Sequence, residues 1–133
     1  MNEPLTSLGL ALRAGKLAAG EEAVNAALSA GTVRLVVLAS DAGENTVRRM
    51  EHRSQGKLPI LYLEADKAAL GQAVGWKSCA AAALTDLGMA AAFAGRLAAL
   101  DERHRGALEA LEEKQEKIAR RRLKKPGKRS RSK

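Results

Sequence analysis

Gly20-Glu21-Glu22 places two carboxylates directly behind a glycine, where a helix pattern restarts after a short apolar segment in the stretch from Arg13 to Glu22. A helix N-terminus at that point offers unpaired N–H groups to an anion, and neighbouring side chains can read whatever carries the anion. A second stretch, Gly71-Gln-Ala-Val-Gly75-Trp76-Lys77-Ser78, holds the Gly, Lys and Ser of a phosphate-binding loop. Its spacing is one residue short of G-x-x-x-x-G-K-S/T, Trp76 separates glycine from lysine, and it joins helix to strand instead of strand to helix. A nucleoside-triphosphate site is therefore not expected. Asp41 ends an apolar run, a position where open α/β sheets place functional groups and where aspartate also caps helices. His52 and His104 lack ligand-spaced partners, and Cys79 is the sole cysteine. No metal centre, intramolecular disulfide, Ser-His-Asp set or Cys-His set can be assembled from these residues. The expectation is a chain without catalytic residues, metal or cofactor, in a reducing cytoplasm.

Charge narrows the partner. The chain of 133 residues carries a net charge of +8 and a pI near 10.1, which points to a polyanion. Residues 114–133 hold eleven Lys or Arg against Glu116 alone, whereas residues 1–113 hold twelve basic and fourteen acidic side chains. The basicity thus belongs to a tail, and binding by the remainder must rest on specific contacts. Tyr62, Trp76 and Phe93, the only aromatics, fall in unrelated elements, which excludes a sheet that stacks successive bases. Recognition of RNA shape remains, with a helix N-terminus against the backbone and a few side chains reading base edges. Glu3 and Pro4 stand where a signal peptide would carry basic residues, and apolar runs such as Cys79 to Leu84 are too short to span a bilayer.

The elements that must hold these residues can be read from apolar spacing and punctuation. Thr6 or Ser7 is expected to cap a helix through about Ala14, with Leu5, Leu8 and Leu12 on one face. Leu17 to Ala19 suits a short strand, and Gly20 opens a helix to Ala30 with Gly31 as its C-terminal cap. The continuous run Leu35-Val-Val-Leu-Ala39 suits a strand buried on both faces. A third helix holds Asn45 and Thr46 and ends before Gly56, a strand follows over Pro59 to Leu63, and Asp66 caps a helix from Lys67 to about Val74. Cys79 to Leu84 is helical by propensity alone, but its place in the alternation predicts a strand. The order α-β-α-β-α-β-α-β-α argues for an α/β fold with helices on both faces of the sheet. Leu87 to Leu123 shows no clear break and reads as one long helix with a stripe of Leu97, Leu100, His104, Leu108, Leu111 and Ile118. The expected organisation is a globular domain over 1–100, a helical extension over 101–123 and a basic tail over 124–133 too charged to fold alone.

Four segments resemble one family in order and spacing. They are Leu8-x-x-Ala11-x-Arg13-Ala14-Gly15-Lys16-Leu17-x-x-Gly20; Leu35-Val-Val-Leu-Ala39-Ser-Asp41-Ala42 with Asn45-Thr46; Leu70-Gly71-x-Ala73-x-Gly75; and the alanine strand ending Thr85-Asp86. Together they are similar to the kink-turn RNA-binding ribosomal proteins, the archaeal ribosomal protein seven-Ae and its short bacterial relatives, over residues 5–90. The resemblance implies a three-layer α/β/α sandwich around a small mixed four-stranded sheet, a sharply bent RNA internal loop with sheared G·A pairs as ligand, and no enzymatic activity. It assigns Gly20, Glu21 and Glu22 to the RNA-reading turn, with Glu22 accepting from guanine N1–H and N2–H₂. Glu21 departs from the Asn or Lys of strong binders, and Asn25 falls near a position that carries a phosphate-contacting Lys in archaeal members, a second departure. Gly75, Trp76, Lys77, Ser78 and Cys79 match the second RNA-contacting loop; Arg13, Lys16 and Arg34 are candidates to contact the RNA backbone or to be solvated. The partner implied is ribosomal or other kink-turn RNA, the ribosome among its settings. Two other readings stand beside it: a ribosome-associated interaction module that docks through the C-terminal helix, and an anion-binding enzyme at Asp41 and the Gly71–Ser78 loop.

Overall fold

A computed structural model of the chain describes residues 2–124; the basic tail beyond Lys124 lies outside the described residues. Ten regular elements follow one another: α1 (Asn2–Arg13), β1 (Leu17–Ala19), α2 (Glu21–Ala30), β2 (Leu35–Leu38), α3 (Glu44–Ser54), β3 (Ile60–Tyr62), α4 (Lys67–Val74), β4 (Ala81–Leu84), α5 (Leu87–Leu100) and α6 (Arg105–Lys124). The strands form one mixed sheet in the order β1-β4-β2-β3. β4 is antiparallel to both β1 and β2, and β2 is parallel to β3.

Alternation along the central strands sorts the core into two layers. Leu35 and Val37 of β2 join Ala82 and Leu84 of β4 under α1, α4 and α5. Val36 and Leu38 join Ala81 and Ala83 under Val24 of α2 and Met50 of α3. Both strands are buried on both faces, so neither shows a polar alternation in its sequence. The alanines of β4 favour a helix locally, yet the strand bonds to neighbours along both edges, and this tertiary pairing outweighs propensity. Their small side chains let helices approach from either side. The result is the expected three-layer α/β/α sandwich.

Two expectations about helix limits are corrected. Helix α1 starts at Asn2, upstream of Thr6 and Ser7. Ser7 Oγ donates to the Pro4 carbonyl at 2.6 Å inside the helix, and Pro4 is tolerated because a first-turn residue needs no N–H partner. The stretch from Leu87 to Leu123 is two helices, because the chain breaks at Asp101, whose backbone is extended at φ −151°, ψ 125°. Its carboxylate accepts from the Arg103 N–H at 3.0 Å, a local bond that competes with helix continuation. Beyond the break, a short 3-10 turn over Glu102–His104 is pinned to the β3 side of the domain. Arg103 Nη2 reaches Glu64 at 2.8 Å and the Tyr62 carbonyl at 3.2 Å, and the buried His104 Nε2 stands 3.2 Å from Glu64. Helix α6 then folds back, so that Leu111 enters the same core as Leu97 and Leu108 packs against it. Leu100, in contrast, is 63% exposed.

Close backbone approach also fixes α4. Gly71 is buried, and a Cβ there would meet Ser78 Cα at 2.6 Å and Ser78 N at 2.8 Å. Gly71→Ala is expected to lower the unfolding free energy by about 1–3 kcal/mol through overpacking, measured by urea denaturation. Gly106→Ala, where added carbon meets open space on α6, should leave stability unchanged or slightly raised. A Gly71→Ala midpoint equal to that of the parent would show that the loop yields without cost.

Candidate nucleic-acid interface

Because β1 and β4 are antiparallel, the chain leaves β1 at the same end of the sheet where it enters β4. The Gly20 turn therefore lies beside the loop that follows Gly75, and Gly20 N donates to the Ala81 carbonyl at 2.8 Å. Gly75, at φ 81°, ends α4 in a left-handed cap, and Trp76 N bonds back to the Gly71 carbonyl at 2.8 Å. This aims the indole at the turn. A Cβ on Gly20 would lie 2.9 Å from Trp76 Cζ3 and 3.0 Å from Cη2, so the ring rests on the bare α-carbon. Gly20 is needed twice over, for this contact and for its φ of 91°. Trp76 remains 48% exposed and so offers surface to a ligand while covering the turn.

The two carboxylates of the turn differ sharply. Glu21 reaches across to α3, where Oε1 accepts from Thr46 Oγ1 at 3.0 Å and Oε2 from Arg49 Nε at 2.5 Å. The Arg49 hydrogen bond holds this carboxyl below the ordinary carboxylate range; burial opposes the shift, and Thr46 reinforces it. Glu22 is exposed, and its side chain has no hydrogen bond or ion pair among the described residues. No side chain caps α2, which leaves the first N–H groups of the helix open at the same place. One carboxylate is thus neutralised by the fold and the other is free to accept from a ligand.

Arginines from α3 lie along α2, Arg49 at the turn and Arg53 further down the helix, and the sequence reading did not single them out. Arg53 donates to Asn25 Oδ1 at 3.0 Å, to the Asn25 carbonyl at 3.3 Å and to Ser29 Oγ at 3.0 Å. An open groove of about 680 Å³ between α2 and α3 is lined by Asn25, Asn45, Arg48, Arg49, His52 and Arg53. The spacing of Asn45, Arg49, His52 and Arg53 is the signal that marks them: a polar stripe on one helix face, opposite the buried Met50 and Ser54.

The other residues singled out in the sequence divide between the turn and the far end of the sheet. Lys77 and Ser78 are exposed beside Trp76. Cys79 is buried under the turn, with its thiol donating to the Ala81 carbonyl at 3.2 Å and pushed up in pKa by burial. It supports the loop and presents no surface to RNA. Lys16 and Arg34 sit at the opposite end of the sheet, where the Lys16 carbonyl accepts from Thr85 N at 2.9 Å and Arg34 N donates to the Leu84 carbonyl at 2.8 Å. Arg13 ends α1 in the turn leading to Lys16. Asp41 is tied into the scaffold, accepting from Lys67 N at 2.7 Å at the start of α4; the helix after it, α3, is capped by Gly43. Among the described residues no group of three or more His, Cys, Asp or Glu is placed to hold a metal ion, and no helix is long and apolar enough to cross a membrane.

A mixed sheet of this order between two helical layers, with a glycine turn and a second loop meeting at one end, defines a known class. The chain belongs to the ribosomal protein L7Ae/L30e/S12e/Gadd45 family, whose pattern matches residues 5–93. Membership places it among non-enzymatic proteins. One similar protein is the RNA-binding protein YlxQ of Bacillus subtilis (strain 168), 34% identical over 84 residues that span 62% of this chain and 83% of YlxQ. A solved structure of a protein with unknown function from Bacillus halodurans C is similar at a TM-score of 0.65 and 32% identity, covering 71% of this chain and 96% of that one. The family match stops within α5, so α6 lies beyond it.

The pairing of Glu21 has a consequence for pH dependence. Its carboxyl titrates below its unfolded value near 4.5, so the pair adds stability above that pH and loses it as the pH falls through the lower folded value. In an NMR titration of the side-chain carboxyls, Arg49→Gln should move the Glu21 midpoint upward. A midpoint that stays put would mean that the pair does not form in solution.

Proposed function

We propose that the chain is an RNA-binding protein that recognises a sharply bent, kink-turn-type RNA through the Gly20 turn and the Gly75 loop. The observation that carries this reading is the Trp76 ring resting on Gly20 beside the free carboxylate of Glu22. A guanine edge presents two donors, N1–H and N2–H₂, to a carboxylate that only accepts, and Glu22 meets that requirement. The open N–H groups of α2 suit a phosphate next to it. The exposed part of Trp76 suits an unpaired base, with Lys77 supplying a charge to its backbone.

Glu21 does not repel phosphates as a bare carboxylate would, because Arg49 neutralises it. Arg53 brings a cation from α3 to Asn25 itself, in place of a lysine there. Residues 125–133, which include Lys125, Lys128, Arg129, Arg131 and Lys133, add sequence-independent attraction to phosphate. RNA binding by YlxQ supports the same ligand class. The interaction-module alternative is weaker, because the stripe of α6 that a docking partner would cover already packs on the core at Leu108 and Leu111.

Binding to a short RNA with tandem G·A pairs and to a fully paired duplex of equal length tests the reading. The bent RNA should be preferred, and Glu22→Ala should weaken it by about 10- to 100-fold, the scale of a lost bidentate base contact. Trp76→Ala should cost about tenfold. Glu21→Lys should tighten binding by releasing Arg49 and adding a cation. Equal affinity for the two RNAs would overturn kink-turn recognition, and a Glu22→Ala protein with undiminished preference would remove Glu22 as the reader.

A further inference from the structure

The groove between α2 and α3 does not end at the turn. At its far side, Arg53 also lines a second cleft of about 460 Å³ at the opposite end of the sheet. There Arg34, Lys57 and Lys114 surround a floor that includes Leu58, Pro59 and Leu111. No acidic side chain lines either the groove or the cleft; Arg49 is paired with Glu21 and Arg48 stands 3.9 Å from Glu44, so the cations without a carboxylate partner among the described residues are Arg53, Arg34, Lys57 and Lys114. The side chains of Arg34, Lys57 and Lys114 make no hydrogen bond or ion pair among the described residues, so their charge is available. On α6 the neighbouring carboxylates are turned away: Glu109, Glu112, Glu113 and Glu116 line a separate hollow, on the face opposite Lys114. Lys114 thus faces the cleft with these carboxylates on the other side of the helix.

We infer that a continuous cationic track runs from the Gly20 turn along α3 to the Arg34–Lys57–Lys114 cleft, and that it holds the phosphodiester backbone of an RNA segment extending from the bent loop. This rests on the reading above, and it adds the direction in which the bound RNA leaves the turn. Helix α3, at 11 residues, spans roughly 16 Å at about 1.5 Å per residue, enough to meet several successive phosphates. Phosphates are the fitting ligand because the track offers positive charge and, among its lining residues, no Phe, Tyr or Trp on which a base could stack. It also gives Arg34 a place in RNA binding at the end of the sheet remote from Trp76. A ligand confined to the turn never reaches it.

The test uses the full chain, the double variant Lys57→Gln/Lys114→Gln, and two RNAs that share one G·A internal loop, with flanking helices either short or lengthened by about one turn. Both substituted residues are exposed, and neither belongs to the turn. The parent chain should bind the longer RNA about tenfold more tightly. The variant should bind the short RNA as the parent does, which also verifies its folding, and should lose the gain from length. Its salt slope on the long RNA should be shallower by about two, the change expected for two lost phosphate contacts. No gain from length in the parent, or an undiminished gain in the variant, overturns the track; the second result assigns the gain to the basic tail. Loss of preference for the G·A loop over a paired duplex, with the gain from length retained, would instead overturn the turn as reader and leave the track standing.

Discussion

Antiparallel pairing of β4 between β1 and β2 is the constraint on which the rest depends. The strand has neighbours on both edges and is buried on both faces, and three alanines and a leucine let helices close over each side. The direction of the strand matters as much as its composition. A parallel β4 would begin at the other end of the sheet, and Trp76 would lie far from Gly20. The turn and the loop meet because one strand enters where the other leaves.

The electrostatics of the site follow from helix α3 packing beside α2. Two glutamates in succession at a helix start look hostile to phosphate when read in a line. In three dimensions Arg49 and Thr46 take up the first, and the second alone faces outward. Charge that the α2 sequence lacks is restored from α3, 28 residues further along the chain in the pairs Arg49–Glu21 and Arg53–Asn25. Counting charges by segment misses this, since it cannot show that Glu21 is neutralised by Arg49 while Arg53 is left beside Asn25 with no carboxylate partner among the described residues.

The alternation of helices and strands and the cap at Asp66 were legible in the sequence because they rest on local chemistry: an apolar run, a glycine stop, or an aspartate accepting from a helix N–H; the strand at Ala81–Leu84 was legible only from its place in that alternation, against its helical propensity. The break at Asp101 was not. Helix propensity continues through it, and the anchoring of Arg103 and His104 to Glu64 spans some forty residues of sequence. At the site, Gly20, Glu22 and Trp76 were recognisable from their place in the pattern. Arg13, Lys16 and Arg34 were grouped with them by charge, but a strand's length separates Lys16 from Gly20. The stripe on α3 was open to reading, but its relevance depends on α2 lying alongside, which only the fold establishes.

Trp76 is the sole tryptophan of the chain. Because its ring rests on the turn and is half in solvent, its emission comes from a single known position at the interface. A base stacked on the indole would quench that emission, and a shift in its wavelength would follow any drying of the turn. The protein thus carries its own optical probe, and occupancy of the site can be followed without attaching a dye to either partner.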